Sequence, residues 1–157
     1  PNATAQDVIA LAAKLNPQNE AGRLNAIIRM GADKIGERLP LILRELKREG
    51  LNILYSIDPM HGNTISASNG MKTRRLEDIL AEIKGFFAVH EELGTHPGGI
   101  HVELTGDDVT EVLGGAEEVV EDTLGERYRT LVDPRLNHQQ SLEMAFIVAE
   151  MLRDVSL

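Results

Sequence analysis

Hydrophobic residues along the chain fall into two kinds of pattern. Longer segments place apolar residues at helical spacing, which predicts amphipathic helices, and short apolar runs bounded by Gly or Pro predict buried strands. The predicted helices cover residues 3–15, 35–49, 74–93 and 137–153, with short helices at 106–113 and 116–124. The predicted strands cover residues 24–30, 52–57, 100–104 and 128–132.

This order, a helix followed by four strand–helix pairs, is typical of parallel strands covered by helices in an α/β fold. Four strands are too few for a closed parallel barrel, so we expect either a small open sheet or half of a barrel. Pro40 predicts that the second helix begins late, because proline is best tolerated in the first turn. Residues 59–73 show no periodicity, and a loop of this length is typical of a functional segment.

The composition narrows the class of protein further. The chain has 157 residues, the size of one domain, and its net charge of -9 disfavours nucleic acid and anionic membranes as partners. The absence of cysteine excludes disulfides, thiolate metal ligands and a cysteine nucleophile. No apolar run is long enough to span a bilayer and no signal-peptide pattern occurs, so we expect a cytoplasmic protein. Because the chain begins with Pro1 rather than Met, we also expect it to be part of a longer protein.

Ionisable residues stand at the end of every predicted strand, where chemistry collects in parallel α/β folds. An imidazole and two carboxylates from adjacent strands suit a divalent metal such as manganese, iron or cobalt, and arginines suit phosphate or carboxylate groups. A structural role stays open for each residue, because an Asp before Pro often caps a turn and a strand-end Glu can meet solvent. In chain order, the residues are Arg29, Asp58, His61, Glu103, Asp133 and Arg135.

The other histidines and the basic residues of the long loop carry weaker signals. We expect His101, on the predicted strand 100–104, to pack among helices, and we expect His90 on the surface of the long helix. Lys72 and Arg74 fit either solvated charges or an anion-binding pair. No P-loop, dinucleotide fingerprint or nucleophile elbow occurs.

Seven short motifs occur in a fixed order along the chain, and together they are far more specific than any one alone. They are Arg-Met-Gly (29–31), Asp-Pro-Met-His-Gly-Asn-Thr (58–64), Lys-Thr-Arg (72–74), His-Pro-Gly-Gly-Ile-His-Val-Glu-Leu-Thr-Gly (96–106), Val-Thr-Glu (109–111), Asp-Pro-Arg-Leu-Asn (133–137) and Gln-Ser-Leu-Glu (140–143). From Pro1 to about Asp154 the chain resembles the C-terminal half of a type II 3-deoxy-D-arabino-heptulosonate 7-phosphate (DAHP) synthase.

The resemblance implies the second half of a (β/α)8 TIM barrel, with four parallel strands and covering helices, in which residues 1–157 belong to a single catalytic domain. It implies a transferase that condenses phosphoenolpyruvate with erythrose 4-phosphate and releases phosphate, the first step of the shikimate pathway and of aromatic amino acid biosynthesis. The expected partners are these two substrates, the N-terminal half of the barrel, which this chain lacks, and further copies in a homo-oligomer.

The resemblance also implies a divalent metal, with Mn²⁺ expected first and Co²⁺ or Fe²⁺ as alternatives. The family's Cys ligand belongs to the absent half, and Val112 and Val132 stand where the family usually has Cys. The residues carried over are His61, Glu103 and Asp133 as metal ligands, Arg29 and Lys72 for phosphoenolpyruvate, and Asp58, Arg74 and Arg135 as anion-binding or supporting residues.

Two other readings stay open at this point. One is a non-catalytic half barrel that binds a metal or a partner without turnover, although four matching site residues in one chain count against it. The other is an unrelated small phosphate-binding α/β protein, which predicts a stable monomer with cooperative unfolding. Substitution of His61 by Ala separates the first alternative from catalysis: catalysis predicts loss of metal binding and of turnover in the reconstituted enzyme, whereas the non-catalytic half barrel predicts an unaffected partner interaction.

Overall fold

The computed structural model describes residues 2–154, which divide into two compact units. We call Pro1–Gly62 with Glu82–His101 the sheet unit, and Asn63–Ala81 with Val102–Leu157 the loop unit. In chain order the described elements are α1 (Ala5–Leu15), β1 (Asn25–Ile28), α2 (Ile35–Arg48), β2 (Leu54–Ile57), a 3-10 turn (His61–Asn63), β3 (Ile65–Ser66), β4 (Lys72–Thr73), α3 (Leu76–Leu93), β5 (Pro97–Ile100) and α4 (His138–Asp154).

A three-stranded parallel sheet in the order β1-β2-β5 forms the centre of the sheet unit. The register pairs Ile28 with Ile57 and Ile57 with Ile100, so the carboxyl ends of all three strands lie level. The residues that follow β1 and β2, Arg29 and Asp58, therefore emerge at one edge of the sheet. This α/β arrangement of parallel strands and helices agrees with the fold class expected from the sequence.

Helices bury apolar residues within the sheet unit. The α1 helix begins at a capping box, in which Thr4 and Asp7 each accept a hydrogen bond from the backbone N–H of the other. The α2 helix begins at Ile35, so the late start predicted from Pro40 is wrong. A buried apolar face that includes Leu39 and Leu43 outweighs the one intrahelical hydrogen bond that Pro40 cannot donate.

Both weaker predictions about histidines are also wrong. His90 is fully buried on α3 beside Tyr55 and Phe86, because it lies on the same helical face as the core residues of that helix. His101 is exposed rather than packed among helices, because β5 ends at Ile100 and His101 follows it.

The loop unit contains little regular structure. It has the short antiparallel pair β3–β4, the first turns of α3, and α4. Its apolar cluster is small: Leu124 packs with Ala67, Leu113 and Val119. The predicted short helices at 106–113 and 116–124 are turns and irregular backbone.

Two of the four predicted strands differ from expectation, and the described residues hold three strands in the parallel sheet. The predicted strand 100–104 is replaced by β5, and Leu104 forms only an isolated bridge with Leu136. Residues 128–132 form no strand, and the backbone N–H groups of Arg129, Thr130 and Val132 bond to side chains rather than to a neighbouring strand. Among residues 2–154, no helix is both long enough and apolar enough to cross a membrane.

Candidate metal centre

Asp58 organises the predicted site residues of the sheet unit. Its side chain is fully buried, and it accepts hydrogen bonds from Arg29 (Nε to Oδ2, 2.8 Å) and from the His61 ring (Nδ1 to Oδ2, 2.8 Å). Backbone N–H groups of Met60 and His61 donate to its other oxygen. One carboxylate therefore holds both the predicted anion-binding arginine and the predicted metal-binding histidine.

The charge of Asp58 decides which nitrogen of His61 carries the proton. Burial alone would raise the pKa of Asp58, but the hydrogen bonds from His61, Met60 and Arg29 bring that pKa below its ordinary value. An ionised carboxylate can only accept, so His61 Nδ1 carries a hydrogen and donates it. A carboxylate on one imidazole nitrogen orients the other, Nε2, as metal-binding histidines require.

Glu82, which the sequence analysis did not identify, stabilises the turn that follows Arg29. This fully buried residue of α3 accepts hydrogen bonds from the backbone N–H groups of Met30 (2.9 Å) and Gly31 (2.8 Å). The backbone is tightly packed here, since a Cβ on Gly62 would lie 2.6 Å from the nitrogen of Gly31. A glutamate on the otherwise apolar face of α3 was the signal available in the sequence.

In the loop unit, the predicted ligands Glu103 and Asp133 flank the guanidinium of Arg74. This arginine is fully buried, and its Nη1 donates to Glu103 Oε2 at 2.7 Å and to the carbonyl oxygen of Pro134. Its Nη2 lies 3.8 Å from Asp133 Oδ1, and its Nε donates to the hydroxyl of Thr64. Arg74 thus lies between two carboxylates and neutralises part of their charge.

Lys72 lies on the outer side of the same cluster. Its Nζ donates to Asp133 Oδ1, and its backbone carbonyl accepts a hydrogen bond from the Tyr128 hydroxyl at 2.7 Å. The lysine side chain is half exposed, so it is accessible to an anion from solvent. The sequence predicts that Lys72 binds phosphoenolpyruvate. In the structure its ammonium group instead bonds to Asp133, a predicted metal ligand.

Arg135 forms its ion pair with Glu111, a residue outside the predicted site. Its guanidinium pairs with the buried carboxylate of Glu111, with Nη2 2.7 Å from Oε1 and Nε 3.0 Å from Oε2. Burial alone would raise the pKa of Glu111, but the hydrogen bonds from Arg135 and from the backbone N–H of Arg129 lower it. Arg135 therefore supports the fold here, and Glu111, within the apolar run Val-Thr-Glu-Val-Leu, is the second buried glutamate that the sequence analysis did not single out.

The structure thus places the eight predicted residues in three groups. His61, Glu103 and Asp133 are each half-buried, and each offers one donor atom, an imidazole nitrogen or a carboxylate oxygen. This donor chemistry fits a divalent metal of the manganese, iron or cobalt kind. The groups are Arg29, Asp58 and His61 in the sheet unit, Lys72, Arg74, Glu103 and Asp133 in the loop unit, and Arg135 with Glu111 in the loop unit.

Comparison with known proteins gives a consistent picture. Residues 1–149 match the model of the class-II DAHP synthetase family. The chain is 55% identical over 154 residues to phospho-2-dehydro-3-deoxyheptonate aldolase of Streptomyces coelicolor, an alignment that covers 98% of the chain and 34% of that relative. The aldolase of Mycolicibacterium smegmatis is 51% identical, with 98% of the chain and 33% of the relative covered.

A shorter relative is matched almost from end to end. The phospho-2-dehydro-3-deoxyheptonate aldolase sequence of Streptomyces lividans is 57% identical over 141 residues, which cover 90% of the chain and 96% of the relative. The chain spans about a third of the length of the Streptomyces coelicolor and Mycolicibacterium smegmatis relatives.

Proposed function

Because the chain belongs to the class-II DAHP synthetase family, a family of the shikimate pathway, we propose that it supplies part of the active site of a DAHP synthase. The reaction joins phosphoenolpyruvate to erythrose 4-phosphate and releases phosphate. In this proposal the chain is the second half of a (β/α)8 barrel, and the longer relatives indicate the size of the whole enzyme. Its parallel sheet and strand-end charges are consistent with that architecture.

We propose that His61, Glu103 and Asp133 hold the divalent metal, with Mn²⁺ as the first candidate. When bound, the metal supplies Lewis-acid polarisation of the aldehyde carbonyl. The Asp58 carboxylate orients the imidazole of His61, and the Arg74 guanidinium keeps Glu103 aligned. A ligand set with such supporting contacts is typical of functional metal sites.

Arg29 has the properties needed to bind phosphoenolpyruvate. Its side chain is 42% exposed, while Asp58 fixes the orientation of the guanidinium through the bonds at Nε and Nη2. An arginine held in this way offers remaining N–H groups to a phosphate or carboxylate at little cost in side-chain entropy. Lys72 would add a second positive charge, with its flexible stem allowing it to move between Asp133 and the substrate.

The observation that carries the proposal is the double role of Asp58. A single buried carboxylate orients both an arginine for the anionic substrate and a histidine for the metal, so it links the two functions that the reaction requires. Neither a phosphate-binding module without a metal nor a metal-binding module without an anion site needs both contacts.

Manganese binding to the chain tests the metal half of the proposal. We expect Mn²⁺ titration followed by electron paramagnetic resonance to show one site, weakened at least 10-fold by His61→Ala or Glu103→Gln. The matched control is His101→Ala, which removes an exposed histidine and should leave Mn²⁺ affinity unchanged. Equal affinities in the His61→Ala and His101→Ala variants would refute the assignment.

Phosphate release tests the reaction itself. In the complete enzyme with both substrates and Mn²⁺, Arg29→Gln should raise the KM for phosphoenolpyruvate at least 10-fold, because the substrate loses a charged, pre-oriented partner. Turnover that depends on phosphoenolpyruvate but not on erythrose 4-phosphate would contradict the proposed condensation.

A further inference from the structure

The segment that carries Asp133 lacks the usual means of holding backbone in place. Residues 128–132 make no strand ladder, and Leu131 and Val132 are 98% and 77% exposed, so neither pairing nor apolar burial fixes the two residues next to Asp133. Tyr128 packs against the apolar cluster of the loop unit and anchors only the start of the segment. The loop nevertheless has to present the Asp133 carboxylate at a defined position if that residue is to bind a metal. Some other group must therefore hold the backbone of this loop in place.

Glu111 provides it, because its buried carboxylate contacts the chain on both sides of Asp133. On the side before Asp133, Oε1 accepts from the backbone N–H of Arg129 (3.1 Å) and Thr130 (2.9 Å). On the side after it, Oε2 accepts from the backbone N–H of Arg135 (2.9 Å). One side chain thus closes residues 130–135 into a loop with Asp133 near its tip.

Two further contacts make the closed loop stiffer. The Thr130 hydroxyl donates to the backbone carbonyl of Asp133 at 2.8 Å and accepts from the N–H of Val132 at 3.2 Å. The Arg135 guanidinium donates twice to the Glu111 carboxylate, so the buried negative charge has a full partner. The backbone of Glu111 is itself anchored, since its carbonyl accepts from the Thr73 hydroxyl at 2.9 Å.

We propose that Glu111 is a positioning residue for metal binding: it clamps both sides of the 130–135 loop and thereby fixes the Asp133 carboxylate. The clamp follows from the contacts above, and its consequence for the metal rests on the proposed function. The contacts described for the Glu111 carboxylate are with residues 129, 130 and 135 and with none of the predicted metal ligands, so it acts through the loop.

Hydrogen exchange measures the clamp without any metal. In Glu111→Gln, the amide group places donors where Arg135 and the backbone N–H groups also donate, so we expect the backbone N–H groups of 129–133 and of Arg135 to exchange about tenfold faster or more. The matched control is Glu82→Gln, which alters another buried glutamate that accepts two backbone N–H groups. It should leave exchange in 127–137 unchanged.

Manganese affinity measures the effect of the Glu111 clamp on the proposed metal site. We expect Glu111→Gln to weaken Mn²⁺ binding about 10- to 100-fold and Glu82→Gln to change it less than about twofold. Unchanged exchange in 127–137, or faster exchange with unchanged Mn²⁺ affinity, would overturn the proposal. If the unsubstituted chain binds no Mn²⁺, the metal assignment fails, and the exchange result alone decides whether Glu111 clamps the loop.

A less disruptive variant keeps the test decisive should Glu111→Gln not fold. Arg135→Lys retains the positive charge and the backbone N–H bond to Glu111 but loses the paired donation from Nε and Nη2. We expect the same segment to exchange faster by a smaller factor, with a proportionate loss of Mn²⁺ affinity. Exchange that rises equally throughout the chain would show a general loss of stability and overturn the clamp.

Discussion

The sheet unit and the loop unit satisfy their backbone groups by different means. In the sheet unit, β1, β2 and β5 bond to one another, and apolar side chains such as Ile57 and Phe86 fill the core. In the loop unit, buried polar side chains take the place of a ladder: Arg74, Glu111, Asn137 and Gln140 each bond to the backbone of distant residues.

The difference shows where the proposed chemistry can be built. Hydrogen-bonded strands hold their own positions, so polar residues at their ends, such as Arg29 and Asp58, are placed by the sheet. A loop has no such support, and Asp133 depends on a network of charged groups. Core truncation should therefore be the most damaging change in the sheet unit, and removal of a buried charge the most damaging in the loop unit.

The largest expected effect comes from the core of the sheet unit. Phe86→Ala removes a fully buried ring that packs against Phe87 and His90, so we expect a loss of about 3–5 kcal/mol in the free energy of unfolding. Urea denaturation measures it. Phe146→Ala, which truncates a ring that is 70% exposed, should cost less than about 1 kcal/mol; similar losses would contradict the assigned core.

A buried charge gives the corresponding test in the loop unit. Arg74→Met keeps much of the side-chain volume but removes the buried guanidinium that donates to Glu103 and to the Pro134 carbonyl, so we expect a loss of about 3 kcal/mol. Arg75→Met, at a neighbouring exposed position, is the control and should cost less than about 0.5 kcal/mol. If both variants unfold at the same urea concentration, buried polar contacts do not stabilise this unit.

Lowering the pH should weaken the sheet unit through His90. Burial, and then the charge of His96, lower the pKa of His90 from 6.5 to about 4. The unfolded chain therefore binds a proton between pH 6.5 and 4 that the folded chain does not, so stability falls as the pH drops through this range. Between pH 7 and 5 we expect this residue to cost about 2 kcal/mol.

The variant His90→Phe isolates that contribution. Phenylalanine fits the aromatic surroundings of Tyr55 and Phe86 and does not titrate, so the pH dependence between 7 and 5 should be smaller by about 2 kcal/mol than in the unsubstituted chain. Parallel stability curves for the two proteins would show that His90 is not the titrating group. The stability contributed by the ionised Asp58 and Glu111 is lost only at lower pH, because the pKa values of these carboxylates in the folded chain lie below the ordinary values.

The smallest effect is expected from an ion pair on the surface of the sheet unit. Arg44 and Glu92 lie 3.1 Å apart, but both side chains are more than half exposed. Glu92→Gln should change the free energy of unfolding by less than about 1 kcal/mol, because solvent screens the pair. A loss as large as that of Arg74→Met would show that an exposed charge stabilises this protein as much as a buried one.

Local sequence patterns were sufficient to locate most of the helices and two of the strands of this protein. The helical periods located α1, α2, α3 and α4 to within a few residues, and apolar runs located β1 and β2. Strand-end residues were also identifiable, and the grouping of Arg29 with Asp58 follows from the parallel register. Glu82 and Glu111 were not identified from the sequence, because the sequence does not show which buried backbone N–H groups will need an acceptor.

The amino-acid sequence by itself determined the family, through motifs in fixed order, and the elements whose apolar residues repeat over several turns or fill a short run. Only the tertiary structure decided that 128–132 is an irregular loop, that His90 is buried and that Arg74 lies between two carboxylates. The physical reason is that helices form from contacts a few residues apart, whereas a strand, a buried charge or a clamped loop depends on partners far away in the chain.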